Sequence, residues 1–327
     1  MRPAGAPHRI VFIVPEGFHL LDVTGPLQAF SAAAEILAEP SSGSDSGDGP
    51  GPGEGAWADA EAEAGYAVEL YADVPLVESA QGVRMCASPT LPVLTADDLI
   101  MVPGWRWHDR RTVPLTEPQL SVIADHHAAG GDVASVCAGA FALAKAGVLG
   151  SVPVTTHHEL VYELARLVPG TVERDVLYTC AERVHTSAGI SSGIDLALHL
   201  IAHHHGSALA ARVARALVVP AWRPGGGSQT PVTLLHRNHM QDLVHRVQDV
   251  LDAADGPPLP LDRLAARFGV SGRTLARAFR TATGLTPHAY GAAVRRERAE
   301  QLVSQGWTRE AAAREVGYAD ARSLRRR

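Results

Sequence analysis

The chain has 327 residues, comfortable for two domains; 46% are hydrophobic, and no uninterrupted apolar run approaches the ~18 residues of a membrane span. Three cysteines, an odd number, argue against a disulfide framework and for a reducing compartment. The net charge of -6 is asymmetric: residues 256–327 hold 14 Arg against 6 acidic residues (+8), and the remainder holds 15 basic and 29 acidic residues (-14), the footprint of a nucleic-acid-binding module on an acidic body.

In chain order, the first apolar run, residues 10–14, comes after nine residues and is too short and β-branched for a secretory signal; it reads as a buried parallel strand. A helix is expected from near Pro26 to about Ala38. Residues 40–65 are Gly, Ser, Pro and acid with a single Trp, and are expected to form a disordered insertion because they offer too little surface to bury. Strands are expected at 66–71 and at 99–102, the latter closed by Pro103-Gly104, and a helix at 119–129 closed by Gly130-Gly131. Residues 132–150 then run as an apolar strand, Cys137 at the bend, small Ala138 and Gly139, and a helix. Strands alternating with helices at this rhythm imply a doubly wound α/β sheet.

A strand-to-helix turn with a nucleophile-type residue between small neighbours is elbow geometry: it holds the side chain at the carboxyl end of the sheet beside helix N–H groups that stabilise negative charge, which would lower the thiol pKa. The residues alone leave three roles open for Cys137: a nucleophile, a sensing or ligand-pocket thiol, or a small core residue. No metal or cofactor is expected. His203 to His205 and His126-His127 are adjacent along helices, face different directions, and read as solvated helix ends. Cys86 and Cys180 lack CxxC spacing and read as core or strand residues.

Residues 220–235 form a loop and 240–252 a helix, which puts a domain boundary near 225–236. Leu261, Leu264, Ala265 and Phe268 then recur on one helical face, and Gly269 supplies the left-handed residue on which that helix stops. Ser271 caps a second helix that buries Leu275, Ala278 and Phe279 and turns Arg273, Arg277 and Arg280 outward. Two short helices joined by a tight turn, the second bearing arginines, describe a helix-turn-helix. A long helix follows to about Ser304, with Gly291 inside it, where a glycine costs about 1 kcal/mol relative to alanine.

The stretch Ser271, Arg273, Leu275, Arg277, Phe279, Gly284, Thr286, Pro287 resembles the first DNA-reading unit of the AraC family, and residues 308–327 resemble the second, with Gly317, Tyr318, Asp320 and Leu324 in register. The chain is expected to stop within the second recognition helix, leaving that half incomplete. SVCAGAFALAKAGVL, VTTHH at 154–158, HTSAGISSGIDLALHLI at 185–201 and FHLLDVTGPLQAF are similar to class I glutamine amidotransferase-like, PfpI-type domains, in the version preceding AraC domains in GlxA-like regulators.

The resemblance implies a flavodoxin-like sensory domain at 9–225, a linker with a connecting helix at 226–256, and an all-α double helix-turn-helix domain at 257–327. It implies a cytoplasmic, nucleoid-associated regulator that binds double-stranded DNA, dimerises through the first domain, answers an unknown small-molecule effector and makes no membrane contact. It places Ser271, Arg273, Ala276 and Arg277, with Arg322 and Arg326 from the second half, at the DNA, and Asp22, Cys137, Ala138 and His157 around a ligand pocket. Arg280, Arg295 and Arg298 are expected at phosphates or in salt bridges, Arg295 in particular in a structural role. The alternative is a cysteine-dependent isonitrile hydratase or amidase using Cys137, Asp22 and His157 and carrying a vestigial DNA arm; proteolytic relatives have His directly after the cysteine, where this chain has Ala138.

Overall fold

The computed structural model describes residues 8–39, 65–107, 112–219, 223–254, 256–257, 259–304 and 306–325. Of the stretch expected as an insertion at 40–65, all but Gly65 lies outside the described residues. The chain divides into two compact units, Met1–Gly225 and Gly226–Arg327.

The first unit runs β1 (His8–Ile13), α1 (Leu20–Ala38), β2 (Tyr66–Tyr71), β3 (Leu76–Glu78), β4 (Arg84–Cys86), β5 (Leu99–Val102), α2 (Glu117–Ala128), β6 (Asp132–Val136), α3 (Gly139–Lys145), α4 (Val161–Leu164), β7 (Tyr178–Ala181), β8 (Val184–Ser187), α5 (Ser192–His205) and α6 (Ser207–Ala216). Its main sheet has the order β2-β1-β5-β6-β8-β7 and is parallel except for β7. The central strand β5 is apolar throughout and every residue of it is buried, as expected where helices cover both faces. The chain leaves β1 toward one edge and returns at β5 toward the other, and beside such a reversal the carboxyl ends of the strands open a ligand crevice.

Two local expectations are corrected and one hairpin is added. Helix α1 starts six residues before Pro26, so the proline sits inside the helix, where its ring packs near Gly193 and its missing N–H costs one backbone bond. That earlier start puts Asp22 in the first turn. Strands β3 and β4 form a separate antiparallel hairpin, too short for a periodicity to show, whose linking turn donates Ala80 N–H to Phe18 O at 2.8 Å. His126 is buried, with Nε2 3.0 Å from Asp98 O, and His204 stacks on His8 and lies 3.0 Å from the Tyr66 hydroxyl; neither is a solvated helix end. Cys86 and Cys180 lie on strands, one of the two placements expected, and both are exposed.

The second unit comprises α7 (Val232–Leu235), α8 (Asp242–Asp252), α9 (Leu261–Ala266), α10 (Gly272–Thr283), α11 (Pro287–Ser304), α12 (Arg309–Glu315) and a 3-10 turn at Ser323–Arg325. Helix α8, which the sequence places in a connector, contributes Val244, Val247 and Leu251 to a core shared with Leu264, Leu275, Phe279 and Tyr290. Tyr290 is fully buried and donates its hydroxyl to Asp252 at 2.8 Å, tying α11 to the end of α8. A smaller cluster of Ala299, Ala312 and Val316 joins α11 to α12.

Candidate functional site

At the carboxyl edge of the sheet, β6 ends in Val136 and the chain turns through Cys137 at φ +56°, a conformation that residues with side chains rarely adopt and that marks functional sites. Cys137 N–H donates to Ser187 O at 3.0 Å, and Thr156 Oγ1 donates to Cys137 O at 2.7 Å, so the neighbouring segments over-determine the turn. Asp22, fully buried, reaches the elbow from the first turn of α1, and its Oδ2 accepts the Gly104 N–H at 2.9 Å. A Cβ on Gly104 would stand 2.7 Å from both Asp22 Oδ2 and Cys137 Cβ. The acid and the thiol therefore meet only because β5 exits through a glycine.

Burial raises the Asp22 carboxyl to about 7, the Gly104 and Ile190 amides offsetting only part of the effect. Burial also pushes the Cys137 thiol up, and Asp22 adds to it more than the Ala138 amide takes away. The elbow was expected to lower this pKa. Desolvation of the sulfur outweighs the amide dipoles, because the thiol is only 5% exposed.

A cavity of about 380 Å³ opens over the thiol, lined among others by His19, Trp105, Trp107, Cys137, His157 and Glu159. Of the residues expected around a ligand pocket, Cys137 and His157 line it; Asp22 lies beneath it and Ala138 is wholly enclosed. His157 is close to the sulfur, since a Cβ on Gly189 would be 2.8 Å from His157 Cδ2 and 3.6 Å from Cys137 Sγ. The aromatic wall is fixed: Trp107 stacks on Phe141 at 3.8 Å and donates Nε1–H to Glu163 at 2.5 Å. Burial and the nearby Arg106 hold the His19 imidazole below its ordinary pKa.

Sequence reasoning missed His19, Trp105, Trp107 and Glu159. For the tryptophans a signal existed, because they follow Pro103-Gly104 at a strand's carboxyl end, where doubly wound sheets bind ligands. For His19 and Glu159 none did.

In the second unit, Ser271 Oγ accepts Thr274 N–H at 3.1 Å and caps α10. Leu275 and Phe279 are buried while Arg273, Arg277 and Arg280 are exposed along the opposite face. Ala276, expected between the base-facing arginines, instead lines an apolar cavity of about 260 Å³ with Leu264 and His288, because its position on α10 turns toward α9 and α11. Arg295 is 4% exposed and lies over the Tyr318 ring at 5.7 Å, a structural placement rather than a phosphate-facing one. In the second half Arg322 is exposed next to Asp320, whose carboxylate accepts the Ser323 N–H at 2.9 Å; Arg326 lies outside the described residues.

The profile of the DJ-1/PfpI family matches residues 8–203, and that of a helix-turn-helix domain matches residues 264–327. Among curated proteins, the HTH-type transcriptional regulator GbdR of Pseudomonas aeruginosa is 28% identical over 192 residues, 58% of this chain and 52% of that protein. The HTH-type transcriptional regulator CdhR of the same species is 28% identical over 237 residues, 72% of this chain and 69% of that protein. The chain thus spans about half the length of the first of these relatives. A crystal structure of an AraC family transcriptional regulator from Pseudomonas putida aligns with 22% identity and a TM-score of 0.49, covering 64% of this chain and 100% of that one.

Proposed function

From a chain that belongs to the DJ-1/PfpI family through residues 8–203 and carries a helix-turn-helix domain at 264–327, we propose a sequence-specific DNA-binding transcriptional regulator whose first unit senses a small molecule or redox state without catalysis. The observation that carries the reading is the Ser271-capped helix: it buries Leu275 and Phe279 and leaves Arg273 and Arg277 free on its outer face. A helix so presented fits the major groove, where an arginine pairs with both acceptors of guanine. Arg322 takes the corresponding role in the second half, and Arg280 and Arg298, both exposed, serve phosphates.

The non-catalytic reading of the first unit rests on the sulfur. A nucleophile must be a thiolate, and burial together with Asp22 keeps Cys137 protonated. The cavity above it suits a small effector, and two copies of the first unit paired in a homodimer would present two DNA arms to two half-sites.

The test is selection of targets from a random DNA pool at physiological salt, with the full chain and with Arg273→Ala/Arg277→Ala. A defined motif for the parent and none for the variant supports the proposal; the same salt-sensitive, motif-free binding from both overturns it. Cys137→Ala is expected to keep the motif, and turnover of an isonitrile or amide that vanishes in this variant would favour an enzyme.

A further inference from the structure

We propose that His19, Asp22 and Cys137 form a site for one divalent, thiophilic cation, most simply zinc, at the floor of the crevice above the elbow; the inference rests on reading that crevice as the effector site. Their ligating atoms, an imidazole nitrogen, a carboxylate oxygen and Sγ, all lie within 4.8 Å of one another. Zinc takes such donors at about 2.0 to 2.3 Å in a tetrahedron, so two of them stand about 3.3 to 3.7 Å apart. Rotamer adjustment of about an ångström, shared among the three side chains, closes the widest gap.

Two of the three groups have buried polar atoms without a hydrogen bond of normal geometry. Asp22 is fully buried, yet its Oδ1 makes no hydrogen bond of normal geometry, and the buried Nδ1 of His19 likewise lacks a partner. Native interiors rarely leave such atoms unsatisfied, and a bound ion is one of the standing reasons when they do. The charge arithmetic agrees. Ligation would turn the carboxyl and the thiol into two like charges in a desolvated niche, and a divalent cation between them cancels both.

The donor set mixes one thiolate, one imidazole and one carboxylate, which suits zinc and not the all-oxygen preference of magnesium or calcium. Because His19 and Cys137 also line the cavity, an ion held between them faces it. Three protein donors leave a coordination position for water or an effector, the pattern of open rather than purely structural zinc sites. On binding, the S–H bond breaks, a sulfur–metal bond forms and the proton leaves to solvent; no electrons are transferred. Among the described residues no other His, Cys, Asp and Glu side chains group in this way. The histidines at 203–205 and at 126–127 supply no rival site, since His204 Nδ1 and His126 Nε2 are engaged by Tyr66 and by Asp98 O.

The test titrates the full chain with Co²⁺ and displaces it with Zn²⁺. One equivalent per chain is expected, with a near-ultraviolet thiolate-to-cobalt band that survives Cys86→Ser/Cys180→Ser and disappears in Cys137→Ala. His19→Ala should weaken Zn²⁺ by more than the roughly 10- to 100-fold typical of losing a group that only orients a ligand. Circular dichroism of each variant separates lost ligation from lost folding. No band, or a band kept in Cys137→Ala, overturns the site. Running the DNA selection with and without Zn²⁺ separates the two readings: a defined motif without a cobalt band sinks only the metal site, and a band without a motif supports the site and sinks the regulator.

Discussion

Asp22 and Cys137 face each other across the backbone of Gly104, in a gap so narrow that a Cβ there would lie 2.7 Å from the Asp22 carboxylate oxygen and 2.7 Å from Cys137 Cβ. The acid comes from the helix after β1, the thiol from the turn after β6, and the glycine from the exit of β5, which lies between those strands.

Gly104→Ala is therefore expected to destabilise the first unit. The atoms in the way are a buried carboxylate, a Cβ and the Ala138 backbone nitrogen, none of them the tip of a flexible side chain. Overpacking of this kind costs about 1–3 kcal/mol, read as a lower midpoint in urea unfolding.

Stability should depend on pH through Asp22. The folded carboxyl titrates at about 7, whereas an unfolded aspartate titrates near ~3.9, so between these values the folded state binds the extra proton. Its contribution is fully present below about pH 4 and is lost as pH rises to about 7, by up to roughly 4 kcal/mol. With chelator present, Asp22→Asn should flatten that slope and be more stable than the parent at alkaline pH, measured by urea unfolding across the range.

Two exposed arginines on one helix should fail differently. Arg277→Ala is expected to cost about 1–3 kcal/mol on the best DNA target and to relax the preference at one base pair. Arg280→Ala should weaken all sequences alike and make the salt dependence shallower by about one ion. Affinities over a salt series on cognate and scrambled duplexes distinguish them; equal losses on both duplexes for Arg277→Ala would remove it from base reading.

Gly291 sits buried in α11 with Leu251 Cδ2 and Arg295 Nη1 each 3.4 Å from the place of a Cβ, ordinary contact distance. Gly291→Ala is expected to stabilise the second unit by about 0.5–1 kcal/mol, because alanine favours the helix and the space accepts a methyl. A rise in the thermal midpoint checks it; a fall would mean that the Leu251 contact cannot yield.

Local rules alone made much of this protein legible in sequence. The apolar runs of β1, β5 and β6, the bend at Cys137, the cap at Ser271, the stop at Gly269 and the outward arginines of α10 depend on neighbours within a turn or two, so spacing and residue type suffice. What only the tertiary structure decided depends on groups far apart in the chain. Asp22, Gly104 and Cys137 converge through strand order, and burial first, with Asp22 second, raises the thiol against the elbow's amides. His19 joins them for the same reason, and Ala276 turns inward because α8, α9 and α11 close over it. Desolvation is a property of everything that surrounds a group, and a linear pattern carries no record of what will surround it.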